Sequence, residues 1–345
     1  MKPHSVHIEC GFFFLEPALT SASFGLFGID LEVSTDDRML MDELRLILGT
    51  GERLLDYSLA PRSVRVRVET RQTSNAGTIV VEGDDLSDAA DFLLSFGSAT
   101  IPLRPVEGRP NAVALDGLDE PLFVFERRFA HFLLVPRWRR ILANFLMLRI
   151  LRFRTEFLFF HAASLNLGKG GVMLVGMKGT GKSTLSLALA VRGHGFLGDE
   201  MAVYNPADGM LLPFRRPVGI KPGPRSAAVQ SALNRVAHFV DEDGMMRVPI
   251  EDILDVIEPA HARLQSVVFL DGFGANPTMH AIDAGRQELA LMQPIATALQ
   301  EGTKVSRVFE MIRLLSRCRC YRLKAAAPDE TAALVERELL HAEAQ

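Results

Sequence analysis

Gly176-Met-Lys-Gly-Thr-Gly-Lys-Ser-Thr184 fills every fixed position of the pattern G-x-x-x-x-G-K-[ST]. Its flanks fit as well. Gly171-Val-Met-Leu-Val175 before it is a short apolar run of strand type, and Leu185-Ser-Leu-Ala-Leu-Ala190 after it is a good helix former. Strand, glycine turn and helix start would surround one anion with several backbone N–H groups and the positive end of a helix dipole. Gly176, Gly179 and Gly181 keep Cβ atoms out of the way, and Thr180 and Thr184 complete the loop. Lys182 is placed to reach terminal phosphates, and the Ser183 hydroxyl to ligate Mg²⁺. The pattern therefore predicts that the chain binds a nucleoside triphosphate together with Mg²⁺.

The bulk composition sets the frame for this loop. The chain has 345 residues, enough for roughly two domains with their own cores. At 48% hydrophobic and 23% charged residues it reads as an ordinary globular protein. A net charge of −4 gives no reason to expect nucleic-acid binding. Cys10, Cys318 and Cys320 are too few and too scattered for a disulfide framework or a zinc site. The apolar run Cys10–Leu15 stops at Glu16 and Pro17, so no signal peptide is read, and a reducing cytoplasm is the expected home. No stretch reaches the roughly 20 apolar residues of a spanning helix, since Phe145–Phe160 is cut by Arg149, Arg152, Arg154 and Glu156.

Along the chain, Asp36–Leu48 has helix spacing, with Met39, Leu40, Leu44, Ile47 and Leu48 on one side and Asp36 or Asp37 as cap. Val64, Val66 and Val68 alternate with charged residues as in a half-buried strand, and Thr78–Glu82 follows as its partner. Proline and glycine thicken over Pro102–Pro121, the composition of a long loop or domain boundary. Residues 1–120 thus read as a small α+β domain. From Leu122 on, strand-like Leu122–Val135, a helix over Arg137–Arg152 and the run Phe157–Phe160 lead to the loop. After its helix come Gly195–Gly198 ending in Asp199 and Glu200, an extended Met201–Tyr204, a turn at Asp208 and Gly209, and a proline- and arginine-rich Pro213–Pro224. Ser266–Leu270 is a buried-type strand ending at Asp271; Cys318–Leu323 is another, and Asp329–Ala342 a closing helix. Strands alternating with helices around the glycine loop make residues 121–345 an α/β nucleotide-binding domain.

The stretch Phe160–Tyr204 resembles the catalytic domain of the HPr kinase/phosphorylase family. The matching order is His161-Ala162, a strand, the phosphate loop, a helix closing in Arg192-Gly-His194, and a strand ending in two acids, here Asp199 and Glu200. It resembles still more the HPr-kinase-related proteins beside peptide-modifying systems, and the lasso-peptide kinases. Like them it has a His-Ala-Ala opening, a Gly-Asp-Glu acid pair and an arginine-proline segment running from Arg215-Arg-Pro217 to Lys221. The Glu-Val-Arg-Gly signature of true HPr kinases has no clear counterpart downstream.

The resemblance implies a P-loop kinase fold like the C-terminal domain of HPr kinase. It also implies phosphoryl transfer from ATP to a hydroxyl, serine by analogy, on a peptide or small protein. In that scheme Asp199 takes the acceptor proton, Glu200 helps to hold the metal, and His161 lies near the phosphates. Lys182 joins them at the reacting phosphate, and Arg216, with Arg215 and Lys221, is a candidate phosphate clamp. On pattern alone Asp271 is the rival metal ligand, in the manner of a Walker B aspartate, and it stays in contention beside Ser183 and Glu200. His194 suits the end of a helix, where its charge complements the dipole, and Trp138 reads as core. Two other functions stay open: a kinase of a small-molecule hydroxyl on the same fold, and a regulatory protein that binds ATP without transferring phosphate. The sequence leaves room for a homo-oligomer, and assigns residues 1–120 no chemistry beyond an edge strand able to receive an extended acceptor peptide.

Overall fold

The computed structural model describes residues 19–35, 38–48, 62–73, 76–83, 93–96, 99–106, 109–115, 154–168, 170–220, 239–240, 246–254, 261–295 and 305–341. It also describes positions 140, 143, 144, 147, 150 and 151, all of them helical, as the spacing of 137–152 predicts. The expected caps Asp36 and Asp37, the 122–135 segment, Trp138 and Lys221 lie outside the described residues.

The first seven strands form one sheet. β1 (Thr20–Leu26), β2 (Ile29–Thr35), β3 (Arg62–Thr73), β4 (Ala76–Gly83), β5 (Leu93–Phe96), β6 (Ala99–Val106) and β7 (Arg109–Leu115) lie in the order β1-β2-β3-β4-β7-β6-β5. Only β2 and β3 pair in parallel, because the helix Arg38–Leu48 carries the chain back between them. That helix buries Leu40, Met41, Leu44, Ile47 and Leu48, while Met39 is exposed. The apolar face is therefore turned from the predicted one: Met41, one turn before Leu44, completes it in place of Met39. The strand through Val64–Val68 pairs with the predicted partner strand as β3 and β4, in a register that sets Arg67–Arg71 against Thr78–Glu82. The proline- and glycine-rich 102–121 segment differs from expectation, since most of it is β6 and β7. Pro102 and Pro105 sit within β6, and the register shifts next to Pro105, where a strand without an N–H can slip.

The second sheet has nine strands. β8 (Leu158–Phe160), β9 (Ala163–Asn166), β10 (Gly171–Val175), β11 (Gly195–Gly198), β12 (Ala202–Asn205) and β13 (Met210–Leu212) lead the chain across it. The short β14 (Val218–Ile220), β15 (Phe239–Val240) and β16 (Met246–Val248) make a separate three-stranded sheet. β17 (Ala262–Phe273), β18 (Thr278–Ile282) and β19 (Arg319–Ala325) complete the large one. Its centre is the parallel set β10-β17-β19. β9 runs antiparallel between β10 and β11, so β11 points the same way as β10.

Continuous apolar runs in β10 and β17 reflect burial on both faces. Leu174 and Val268 face the helices Lys182–Val191 and Pro328–His341 through Leu185, Leu189, Ala332 and Val335. Met173, Val175, Val267 and Phe269 face the helices Arg286–Ile295 and Val305–Arg317 through Met292, Met311 and Leu314. Helices thus cover both faces of a large mixed sheet, an α/β architecture. Among the described residues no helix is long and apolar enough to cross a membrane.

The two sheets meet at the β1–β2 turn. Phe27 and Gly28 take left-handed conformations there, φ 48° and 69°, as a two-residue hairpin turn of the primed kind requires. The turn drives Phe27 into an aromatic nest: its ring stacks on Phe214 at 5.5 Å and meets Phe157 and Phe159 at 6.0 and 5.9 Å. Arg154 Nε donates to the Phe27 carbonyl at 2.6 Å from a buried position.

Candidate functional site

Parallel β10, β17 and β19 end on one side of the sheet, where open α/β folds place their ligand crevice. The loop 176–181 follows β10 there. Gly179 and Gly181 hold φ 88° and 98°, a region that costs glycine nothing. Gly176 is needed for space instead: a Cβ would come within 2.5 Å of Thr180 Oγ1 and 3.2 Å of Leu270 Cβ. Thr180 closes the loop by donating its hydroxyl to the Met177 carbonyl at 2.8 Å. The helix then starts at Lys182, with no side chain capping its first N–H groups, so that end remains open to an anion.

Lys182 is 7% exposed and folds back over the loop, donating to the Gly176 carbonyl at 2.7 Å and the Met177 carbonyl at 3.3 Å. Burial lowers its pKa, while Asp199 and Glu200 act in the opposite direction. These carbonyls satisfy the ammonium but bring no neutralising charge.

Asp199 follows β11. Gly198 before it cannot carry a Cβ, which would lie 2.8 Å from the Phe214 carbonyl and 2.9 Å from that of Met201. The close approach locks the acid pair to the 213–216 segment, where Phe214 N–H donates to the Leu197 carbonyl. Asp199 is 3% exposed. Burial first, and the neighbouring Glu200 charge second, push its carboxyl up to about 7, against hydrogen bonding from Ser183 and the charge of Arg216. Its Oδ2 has no hydrogen-bond partner.

Glu200 shows the opposite balance. Loss of solvent around its carboxylate works to raise its pKa, but Arg216 and then Arg247, with His161 and Arg140, hold it below the ordinary value. Arg216 sits 3.2 Å from Glu200 Oε2 and donates to Asn144 Oδ1 at 3.0 Å, yet its buried Nε finds no partner. His161, after β8, is kept below 6.5 by burial and by Lys182, although Glu200 opposes this through its charge and a backbone hydrogen bond.

The structure therefore brings together Lys182, Ser183, Asp199, Glu200, His161 and Arg216 from the sequence-derived set. Asp271 stands apart from them in its surroundings. It is exposed on β17, which continues past it to Phe273 rather than ending there as the sequence suggested. The carboxylates that act on Lys182 are Asp199 and Glu200.

Sequence reading missed Arg140, Asn144 and Arg247. Arg247 is a lone arginine inside the apolar strand Met246–Val248, 8% exposed. An unexplained charge in a buried strand was the available signal.

Among the described residues, no group of three or more His, Cys, Asp or Glu side chains converges as a metal site. The Ser183 hydroxyl and the half-exposed Glu200 carboxylate are oxygen donors of the kind Mg²⁺ takes in small number, with phosphate and water to complete its shell.

No protein-family model matches this chain, and no curated protein matches it. Among solved structures it is similar to the HPr(Ser) kinase/phosphatase from Coxiella burnetii. The match spans 54% of this chain and 90% of that one, at 16% identity and a TM-score of 0.28.

Proposed function

We propose that this protein is an ATP-dependent phosphotransferase, moving the γ-phosphoryl group to a serine hydroxyl of a peptide or small protein. The observation that carries the proposal is a pair of buried polar atoms left without partners at the crevice, Asp199 Oδ2 and Arg216 Nε. Lys182 and Arg216 lie beside two carboxyls, Asp199 and Glu200, the first of which is raised to about 7. Leaving Asp199 Oδ2 and Arg216 Nε unpaired costs about 1–3 kcal/mol each. A polyanion beside Arg216 and an acceptor hydroxyl donating to Asp199 would answer both deficits.

The loop's N–H groups and the start of the helix Lys182–Val191 would hold the β- and γ-phosphates. Lys182 would turn from its carbonyl partners to the oxygens that gain charge in transfer. Ser183 and Glu200 would hold Mg²⁺, which when bound neutralises phosphate charge. The acceptor oxygen forms a bond to the γ-phosphorus as the bond to the β–γ bridging oxygen breaks, and ADP leaves with that electron pair. The acceptor proton passes to Asp199, whose raised pKa suits proton exchange near neutral pH. The serine acceptor rests on the sequence resemblance alone. An assay with radiolabelled ATP, with and without candidate peptides, tests the reading. Label on a peptide serine supports it; ATP binding with no transfer to any acceptor would leave a nucleotide-dependent switch instead.

A further inference from the structure

The charge of Arg216 bears on Asp199, Glu200 and His161 together. An unrestrained arginine samples many rotamers, and ordering it costs conformational entropy. Here the side chain is buried and its guanidinium is held from two sides. Nη1 lies 3.2 Å from Glu200 Oε2, and Nη2 donates to Asn144 Oδ1 at 3.0 Å. A planar fork fixed at two nitrogens keeps one orientation. Asn144 is neutral, so it directs the guanidinium without cancelling the charge that a phosphate would meet.

The hold by Asn144 is itself prepared by the surrounding chain. Asn144 lies one helical turn after Arg140, and its Nδ2 donates to the Arg140 carbonyl at 2.8 Å. With the amide N–H committed to a carbonyl, Oδ1 is the end that meets a cation. Arg140 Nε in turn stands 3.6 Å from Glu43 Oε2, a largely shielded pair that ties this turn to the helix Arg38–Leu48. From the other direction, Phe214, two residues before Arg216, stacks on Phe27 at 5.5 Å. Between them Arg215 Nε donates to the Phe196 carbonyl at 2.8 Å. The backbone that carries Arg216 and the amide that orients its tip are thus fixed separately.

We infer that Asn144 is a positioning residue for phosphoryl transfer, aiming the Arg216 guanidinium at the migrating phosphoryl group. The inference deepens the phosphotransfer proposed above and rests on it. A misplacement of about 1 Å at a reacting centre can cost about 10²-fold, so a contact one residue removed from the phosphates still acts on the reaction.

Titration calorimetry of the full chain with ADP and Mg²⁺, with and without aluminium fluoride, tests this. Fluoroaluminate stands in for the phosphoryl group midway between donor and acceptor. The native protein should bind ADP about 10²-fold or more tightly when fluoroaluminate is present. Asn144→Ala should cut that gain by about tenfold, the worth of one hydrogen bond to a charged group, while affinity for ADP alone holds. Asn144→Asp keeps the acceptor for Arg216 but gives up the donor to the Arg140 carbonyl, and it should recover most of the gain. In an Arg216→Ala background, Asn144→Ala should change nothing further. An undiminished gain in Asn144→Ala overturns the inference, and so does a further loss on top of Arg216→Ala. Asn144→Asp as weak as Asn144→Ala also overturns it, since the bond to the Arg140 carbonyl, not the grip on Arg216, would then be what matters. A native chain that binds ADP but gains nothing from fluoroaluminate would sink the proposed transfer itself, and the positioning role with it.

Discussion

The helix Lys182–Val191 carries a charge cluster at each end, and the two are built in opposite ways. Beyond its C-terminus, Arg192 grips Glu336 with two hydrogen bonds, 2.8 and 2.6 Å, and His194 meets the same carboxylate at 2.8 Å. That cluster is partly solvated, its geometry closed and its charges matched. At the N-terminus Lys182, Asp199 and Arg216 are buried, and two polar atoms, Asp199 Oδ2 and Arg216 Nε, lack partners. Screened pairs of the first kind contribute little, about 1 kcal/mol or less. Unmatched buried groups of the second kind cost stability, and they persist where a ligand completes them. The contrast distinguishes a clamp from a site.

Substitutions can break this contrast at either end, and the largest effect falls on the acid pair. Asp199→Asn should lower phosphoryl transfer by roughly 10²–10⁴-fold, the worth of a general base, while nucleotide affinity changes little. Asp271→Asn, on the exposed part of β17, should be far milder. Steady-state turnover and calorimetry on both variants decide the matter. A severe Asp271→Asn with an active Asp199→Asn would move the chemistry to the other strand end.

Lys182→Met comes next, with a loss of about 10²–10³-fold in turnover for one donor at the developing charge. Its melting temperature should hold or rise, because the fold disfavours the charged ammonium that burial already destabilises. Turnover above about a tenth of the native value would dissociate the lysine from the chemistry.

How much of this was legible in the sequence follows from the range of the interactions. The loop 176–184 and the helix after it are local, and glycine spacing alone announced them. Asp199 and Glu200 could be named because they end an apolar run soon after that helix. Arg247 and Arg140 reach Glu200 from elements far away in the chain, and no short pattern records such a meeting. The β1–β2 hairpin and the helices Arg286–Ile295 and Val305–Arg317 also went unread. For the hairpin, the left-handed turn falls on Phe27, a residue that does not advertise such a conformation. The prolines of β6 concealed that strand for the same reason, since local preference pointed to a loop while pairing with β5 and β7 prevailed.

The N-terminal sheet supplies the next test, because it touches the second unit beside the site rather than at it. Phe27→Ala removes a fully packed ring from the nest of Phe157, Phe159 and Phe214. It should destabilise the protein by about 3–5 kcal/mol in denaturant unfolding, as large aromatic truncations in cores do. A change under about 1 kcal/mol would mean that the two sheets are not held together through this turn.

The smallest effect belongs to the clamp. In Glu336 the carboxylate is held below its ordinary value first by the Arg192 hydrogen bonds, against some burial, and then by His194. A depressed carboxylate pKa gives stability that is present above the unfolded value, 4.5 here, and fades as pH falls through the lower folded value. Arg192 is 38% exposed, so solvent screening limits the pair to about 1 kcal/mol or less. Glu336→Gln should therefore lower the melting temperature by only about 1–3 °C at pH 7. The gap should narrow steadily once the pH drops below 4.5, where protonation makes the native residue resemble glutamine. Turnover should not change at all, since Glu336 lies at the far end of the helix from Lys182. Thermal melts of both proteins across this pH range, with turnover measured at pH 7, check both halves. A gap that persists unchanged in acid would show that packing, and not the charge, fastens the last helix; a fall in turnover would erase the distinction between the two ends.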